Sequence, residues 1–105
     1  MRIAVVGPGG LGGRYAVILA QAGEEVSLIA RGAHLEAIRE NGLTLRDGEV
    51  DTTLQLQATD DPSELGPVDL VLFCVKTYDL ESAAEQTRPM VGEDTMVLSV
   101  LNGVD

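Results

Sequence analysis

The stretch Ile3-Ala4-Val5-Val6-Gly7-Pro8-Gly9-Gly10-Leu11-Gly12-Gly13 decides how this chain folds. Four apolar residues, three of them β-branched, run straight into glycine. Such a run suits a short strand buried on both faces, as in a parallel sheet. Gly7, Gly9 and Gly12 then stand in G-x-G-x-x-G spacing. Gly7 permits a sharp turn out of the strand. Gly9 carries no side chain, so a pyrophosphate can approach the backbone. Gly12 lets the following helix pack close to the strands. The helix N-terminus adds unpaired N–H groups and a partial positive charge. Three glycines here weaken a helix unless something needs the space.

Working outward, Leu11 to Ala22 reads as that helix, with Leu11, Tyr15, Ile18, Leu19 and Ala22 as its apolar face and Gly23 as its stop. Val26–Ala30 reads as a second strand, and Ala33–Asn41 as a second helix with Leu35 and Ile38 on one face. Strand, helix, strand, helix with short links implies right-handed parallel crossovers. The middle changes character. Leu43–Arg46 alternates, Asp47-Gly48 signals a tight turn, and Val50 to Gln57 reads as the returning strand of a hairpin. Asp60-Asp61-Pro62-Ser63-Glu64 reads as a capped single helical turn, not a metal pair. Val68–Val75, nearly all apolar, is expected to be a central strand. Leu80–Arg88 reads as a helix ended by Pro89, Thr95–Val100 as the last strand, and Asn102-Gly103 as a turn. The expected class is α/β: a Rossmann-type three-layer sandwich, mainly parallel, with an inserted β-hairpin, forming one domain over residues 1–105. Stopping just after a strand would be unusual for a complete enzyme.

Composition narrows the function. With 105 residues the chain makes one small domain, and 45% apolar residues suffice for a core. Aromatics are 3% and Trp is absent, so the core is aliphatic. The net charge of −10 makes nucleic acid and anionic lipid poor partners. Residues 1–50 carry five Arg against six acids, whereas residues 51–105 carry Lys76 and Arg88 against eleven. An anionic ligand therefore belongs to the first half. Cys74 is the single cysteine, so no internal disulfide forms, and one His with one Cys leaves no transition-metal cluster. Apolar runs such as Leu70–Val75 fall far short of the ~20 residues of a spanning helix. A cytoplasmic location is expected.

Dinucleotide folds carry a discriminating residue about 20 positions beyond the glycines, at the end of the second strand. An acid there grips the ribose 2′-hydroxyl of NAD. Here the residues are Ala30-Arg31-Gly32, and Glu24 and Glu25 fall at the far end of the strand. The guanidinium of Arg31 suits a 2′-phosphate, so the expected cofactor is NADP(H), not NAD(H) or FAD. Lys76 and Asn102 close the two later strands, where ligands of open parallel sheets lie. Lys76 is a candidate for a carboxylate or a cofactor ribose, or simply a lysine reaching water. Asn102 is a candidate for a hydroxyl or carboxamide, or simply part of an Asn-Gly turn. His34 reads as a surface residue, with adenine or 2′-phosphate contact as the alternative. Cys74 reads as core filling and Tyr15 as packing of the first helix.

The chain resembles the amino-terminal domain of the ketopantoate reductases (2-dehydropantoate 2-reductases). The resemblance rests on Met1-Arg2-Ile3 through Gly7-x-Gly9-x-x-Gly12, on Ala30-Arg31-Gly32-x-His34-Leu35-x-x-Ile38, on Gly42-Leu43, on Cys74-Val75-Lys76-Thr77-Tyr78, and on Leu101-Asn102-Gly103-Val104. It spans essentially the whole chain in order. It implies reduction of 2-dehydropantoate to pantoate by NADPH, a step toward pantothenate and coenzyme A. It implies that the loop Gly7, Pro8, Gly9, Gly10, Leu11 and Gly12 cradles the pyrophosphate, that Arg31 meets the 2′-phosphate, and that Lys76 and Asn102 lie near the nicotinamide and the keto-acid substrate. Two features depart from the family. Pro8 replaces a small residue and removes one N–H. The family's helical carboxyl-terminal domain, with its catalytic lysine and substrate-binding acid, lies outside this chain. The expectation is a domain that binds NADPH and, alone, turns over little. A stand-alone dinucleotide-binding regulatory module, or a reductase of another small keto acid, are the competing readings. A surface uncovered by a missing domain would favour homodimerisation.

Overall fold

The computed structural model describes residues 1–7, 11–74 and 85–100. Strand β1 spans Arg2–Val6, helix α1 Leu11–Gln21, β2 Glu25–Ile29, and helix α2 Gly32–Asn41. Then follow β3 Leu43–Asp47, β4 Val50–Leu54, β5 Gln57–Thr59, β6 Val68–Phe73 and β7 Val91–Ser99. Five strands form one parallel sheet in the order β5-β2-β1-β6-β7, while β3 and β4 pair antiparallel as a separate ribbon. The strand order reverses beside β1, which is where open α/β sheets leave a crevice at their carboxyl ends. The expected Rossmann-type class and inserted hairpin are therefore present.

Alternation along β1 explains the layers. Ile3 and Val5 join a core with Ala16, Val17, Leu28, Leu35 and Ile38, on the side that α1 and α2 cover. Ala4 and Val6 point to the opposite side, packing with Leu65, Val71, Phe73 and Met90. A strand buried on both faces has no polar alternation to show, which is why its sequence reads as an unbroken apolar run. At the amino ends of the strands Arg2 acts as a pin. Its Nη1 and Nη2 donate to the carbonyls of Pro67 and Leu65, both at 2.9 Å, and its Nε to Glu25 at 3.0 Å. Its backbone N–H donates to Asp69 at 2.7 Å. One side chain thus ties β1 to β2 and to the approach to β6.

Several expectations need correction. The buried face of α1 is Gly12, Gly13, Ala16 and Val17, whereas Tyr15 and Ile18 are exposed. The helix lies so close to the sheet that the glycines and Ala16 face it directly beside Val17, Leu19 packs at the margin of the core, and Tyr15 and Ile18 turn out. Its end is as expected. Gly23 (φ 97°) donates to the Ala20 carbonyl and Glu24 to that of Leu19, a Schellman closure. The single returning strand Val50 to Gln57 is in fact two strands. β4 pairs with β3, and after Gln55-Leu56 the chain leaves the ribbon so that β5 can run parallel to β2. β7 starts at Val91, earlier than Thr95, because a bulge interrupts its ladder. Thr95 Oγ1 accepts from the Gly92 N–H at 2.8 Å and donates to the Val68 carbonyl at 2.6 Å. Of the helix expected over 80–88, residues 85–87 are helical. The chain passes Pro89 in a 3₁₀ turn, Arg88–Met90. The rest of that helix, and the end of the strand at Val75, lie outside the described residues.

The capped turn stands where expected. Asp61 accepts from both the N–H and the hydroxyl of Ser63, at 3.0 and 2.6 Å, at the head of the 3₁₀ turn Pro62–Glu64. These bonds favour the carboxylate and hold the Asp61 carboxyl below its usual range. A lowered folded value contributes stability above the unfolded value of about 3.9, and that contribution is lost as pH falls through the folded value. Asp61→Asn should therefore narrow the acid-side loss of stability, read as a smaller difference in melting temperature between pH 6 and pH 3. An unchanged acid limb would contradict this role.

Candidate functional site

The carboxyl ends of β1 and β2 meet at Gly7. Its φ is 81°, a conformation that side chains disfavour, and its N–H still donates to the Ile29 carbonyl at 3.2 Å. The chain thus leaves β1 abruptly while bound to β2. Gly12, the second residue of α1, faces the same spot. A Cβ on Gly12 would lie 2.3 Å from the Gly7 carbonyl oxygen and 2.9 Å from Cys74 Cβ. No side chain fits there. The first turn of α1 is held against the end of β1, and its N-terminal N–H groups lie at the head of the crevice. Leu11 begins the helix. Pro8, Gly9 and Gly10 lie outside the described residues, as do Lys76 and Asn102.

Arg31 follows β2 directly. Its backbone is extended (φ −140°, ψ 159°) in the N-cap position of α2, where its carbonyl accepts from Leu35 at 3.2 Å. The guanidinium is exposed and makes no hydrogen bond or ion pair among the described residues. Arg2 and Arg39, by contrast, are both tied to backbone carbonyls. His34, in the first turn of α2, is also exposed. β5 ends beside this point, where the Ala30 N–H donates to the Thr59 carbonyl at 3.1 Å. Thr59 is buried and its hydroxyl donates to Glu64, so the rim on that side is rigid.

The electrostatics of this edge stand out in a chain of net charge −10. Neither α1 nor α2 has an acid in its first turn, although helices favour acids there. In α1 the position holds Arg14, exposed, which the sequence reading passed over. An arginine against the helix dipole was the signal for it. Glu24, Glu25 and Asp69 gather instead at the opposite end of the strands, around Arg2 and the amino terminus. An anion at the carboxyl edge of β1 and β2 would meet two helix N-termini and arginine side chains, with no carboxylate in either first turn.

Cys74 sits behind Gly12, half-buried, with its N–H on the Val6 carbonyl at 2.9 Å. Burial pushes its thiol above the usual value, so it stays protonated at neutral pH. It is a wall of the crevice more than a nucleophile. Among the described residues there is no group of three or more His, Cys, Asp or Glu able to hold a metal, and no helix long and apolar enough to cross a membrane.

Comparison with known proteins agrees with this geometry. The family profile described as "Ketopantoate reductase PanE/ApbA" matches residues 3–105. A 2-dehydropantoate 2-reductase of Mesorhizobium japonicum is 40% identical over 105 residues, covering 99% of this chain and 32% of its own length. The crystal structure of 2-dehydropantoate 2-reductase from Porphyromonas gingivalis superposes with a TM-score of 0.88 at 47% identity, over 98% of this chain and 39% of that one. A ternary structure of D-mandelate dehydrogenase with NADH and anilino(oxo)acetate superposes with a TM-score of 0.89 at 32% identity, over 100% of this chain and 35% of that one. The chain spans about a third of the length of the curated relatives it matches.

Two outcomes test this site. Gly12→Ala should cost about 1–3 kcal/mol through overpacking against the Gly7 carbonyl, read as a fall in melting temperature. A melt equal to that of the parent chain would show that α1 can withdraw. Cys74 in the folded chain should react with iodoacetamide at neutral pH much more slowly than in urea, and equal rates would refute the buried, protonated thiol.

Proposed function

This chain belongs to the ketopantoate reductase family, and on that premise we propose that it is the NADPH-binding domain of a 2-dehydropantoate 2-reductase. The observation that carries the reading is the close approach of α1 to β1 at Gly7 and Gly12 together with the exposed guanidinium of Arg31 on the neighbouring strand tip, unpaired among the described residues. Without a Cβ at Gly12, which would meet the Gly7 carbonyl and Cys74, the first turn of α1 lies close against the end of β1 and its N–H groups reach the crevice where a pyrophosphate would sit. The N-terminal N–H groups of α1 donate to the phosphate oxygens, and no first-turn carboxylate opposes them. Pro8, Gly9, Gly10 and Leu11 complete the loop, with one donor fewer at Pro8. Arg31 forks onto the 2′-phosphate in a charge-assisted, bidentate contact. Lys76 and Asn102 are assigned to the nicotinamide and substrate end, by the family pattern. There Lys76 holds the carboxylate or a ribose hydroxyl, and Asn102 a hydroxyl or carboxamide. When bound, the cofactor supplies a hydride to the ketone carbon of the 2-keto acid, giving the 2-hydroxy acid. The proton for the developing alkoxide comes from an acid outside the residues named here. By itself the chain binds the cofactor and turns over little.

A second reading keeps the fold and changes cofactor and substrate. D-Mandelate dehydrogenase, similar over the whole chain, is described with NADH and with a 2-oxo acid analogue bearing an aromatic amide. Reduction of another 2-keto acid with NADH is therefore the alternative, and Arg31 separates the two. Arg31→Ala should weaken NADPH binding by roughly 10- to 100-fold, the loss of a charge-assisted contact of about 1.5–3 kcal/mol, and leave NADH nearly unchanged. Titration by nucleotide fluorescence reads both. Equal affinities for NADPH and NADH in the parent chain, insensitive to Arg31→Ala, would favour the second reading.

A further inference from the structure

The tip of β5 carries a charge that the cofactor assignment leaves unused. β2 and β5 run parallel, with Leu28 beside Ala58 and Ile29 beside Thr59. One residue further, the Ala30 N–H donates to the Thr59 carbonyl at 3.1 Å. Asp60 therefore leaves β5 where Arg31 is about to leave β2. Neighbouring strands lie about 4.8 Å apart, so this acid and the arginine assigned to the 2′-phosphate start from adjacent strand tips. Two other acids stand close by in the chain, and both are engaged. Glu64 accepts from the Thr59 hydroxyl, and Asp61 accepts from the N–H and hydroxyl of Ser63. Asp60 is exposed and makes no hydrogen bond or ion pair among the described residues. The backbone on either side of it is anchored. Thr59 is buried, and its hydroxyl also accepts from the Asp61 N–H at 3.0 Å.

We propose that Asp60 is a specificity-determining residue that works against Arg31 and holds down the preference for NADPH over NADH. This role rests on the assignment of Arg31 to the 2′-phosphate, and deepens it. The two dinucleotides share their pyrophosphate, riboses and bases, on which Asp60 acts alike. They differ at the 2′ position, where NADPH carries a phosphate of about −1.5 to −2 charges and NADH a neutral hydroxyl. A phosphate on Arg31 stands off Asp60 by a distance on the scale of the ~10 Å Debye length at 0.1 M salt. Repulsion over that range in a water-like dielectric weakens NADPH several-fold. The hydroxyl of NADH has no charge to repel, and a carboxylate accepts a hydrogen bond from such a group. No acid closes β2 itself, and the first turns of α1 and α2 hold none. The sheet supplies one from the neighbouring strand instead.

Fluorescence titration of the chain with NADPH and with NADH, at about 0.02 M and about 0.5 M salt, tests this. Asp60→Asn should tighten NADPH about three- to tenfold at low salt and change NADH less than about twofold. The gain should shrink at high salt, and Asp60→Lys should enlarge it. Asp94→Asn removes one acid at the opposite end of the strands, where Asp94 lines a cavity with Met1 and Asp69, and should shift NADPH much less. An NADPH affinity unmoved by Asp60→Asn, a gain equal for NADH, a gain matched by Asp94→Asn, or a gain indifferent to salt would overturn the role of Asp60. NADPH binding that Arg31→Ala weakens and Asp60→Asn leaves alone would refute this role and spare the NADPH assignment. A parent chain that binds neither dinucleotide would refute both.

Discussion

The close approach of α1 to the end of β1 governs the rest of this structure. The helix lies so near the sheet that a Cβ on Gly12 would come within 2.3 Å of the Gly7 carbonyl oxygen. That distance decides which side of α1 is buried: Gly12, Gly13, Ala16 and Val17 face the sheet and are buried. It also brings the helix N-terminus to the head of the crevice. Packing and anion binding are therefore one constraint here. A larger residue at Gly12 would disturb the core and retract the N–H groups together.

Charge is distributed unevenly between the strand ends, although the exposed Asp60 and Asp61 follow β5 at the carboxyl side. At the amino ends, Glu24, Glu25 and Asp69 surround Arg2 and the terminal amine. At the carboxyl ends of β1 and β2, both following helices start without an acid, and Arg31 and Arg14 remain exposed. Exposed ion pairs contribute little to stability. The arrangement matters more for where an anion can approach. A strongly acidic chain repels phosphates over most of its surface, and the first turns of α1 and α2, which carry no acid, weaken that repulsion at the ends of β1 and β2.

Much of this was legible from residues alone, because the signals were local. A β-branched run ending in glycine is a strand and a turn whatever surrounds it. Gly23 and Gly42 end their helices through backbone conformations that the residue type permits, with φ of 97° and 80°. Asp61 before Pro62 caps its turn through a bond to a residue two positions on. Arg31 was identifiable as the 2′-phosphate candidate because its place depends only on where β2 stops. The errors were non-local. Tyr15 and Ile18 have the spacing of a buried face, and nothing within the helix tells that the opposite face is forced inward by Gly12. The break at Gln55-Leu56 has no turn residue to mark it, because it arises from β5 finding a place beside β2. The early start of β7 depends on Thr95 bonding to Val68, a residue distant in sequence.

The sequence by itself determined the alternation of strand and helix, the glycine cradle, the family, and the arginine at the second strand's tip. Each follows from steric permission or charge within a few residues. Only the tertiary structure decided the order β5-β2-β1-β6-β7, the inward face of α1, and the separation of β4 from β5. Those depend on which surfaces meet across the sheet, and contact between distant segments is not a property of any one of them.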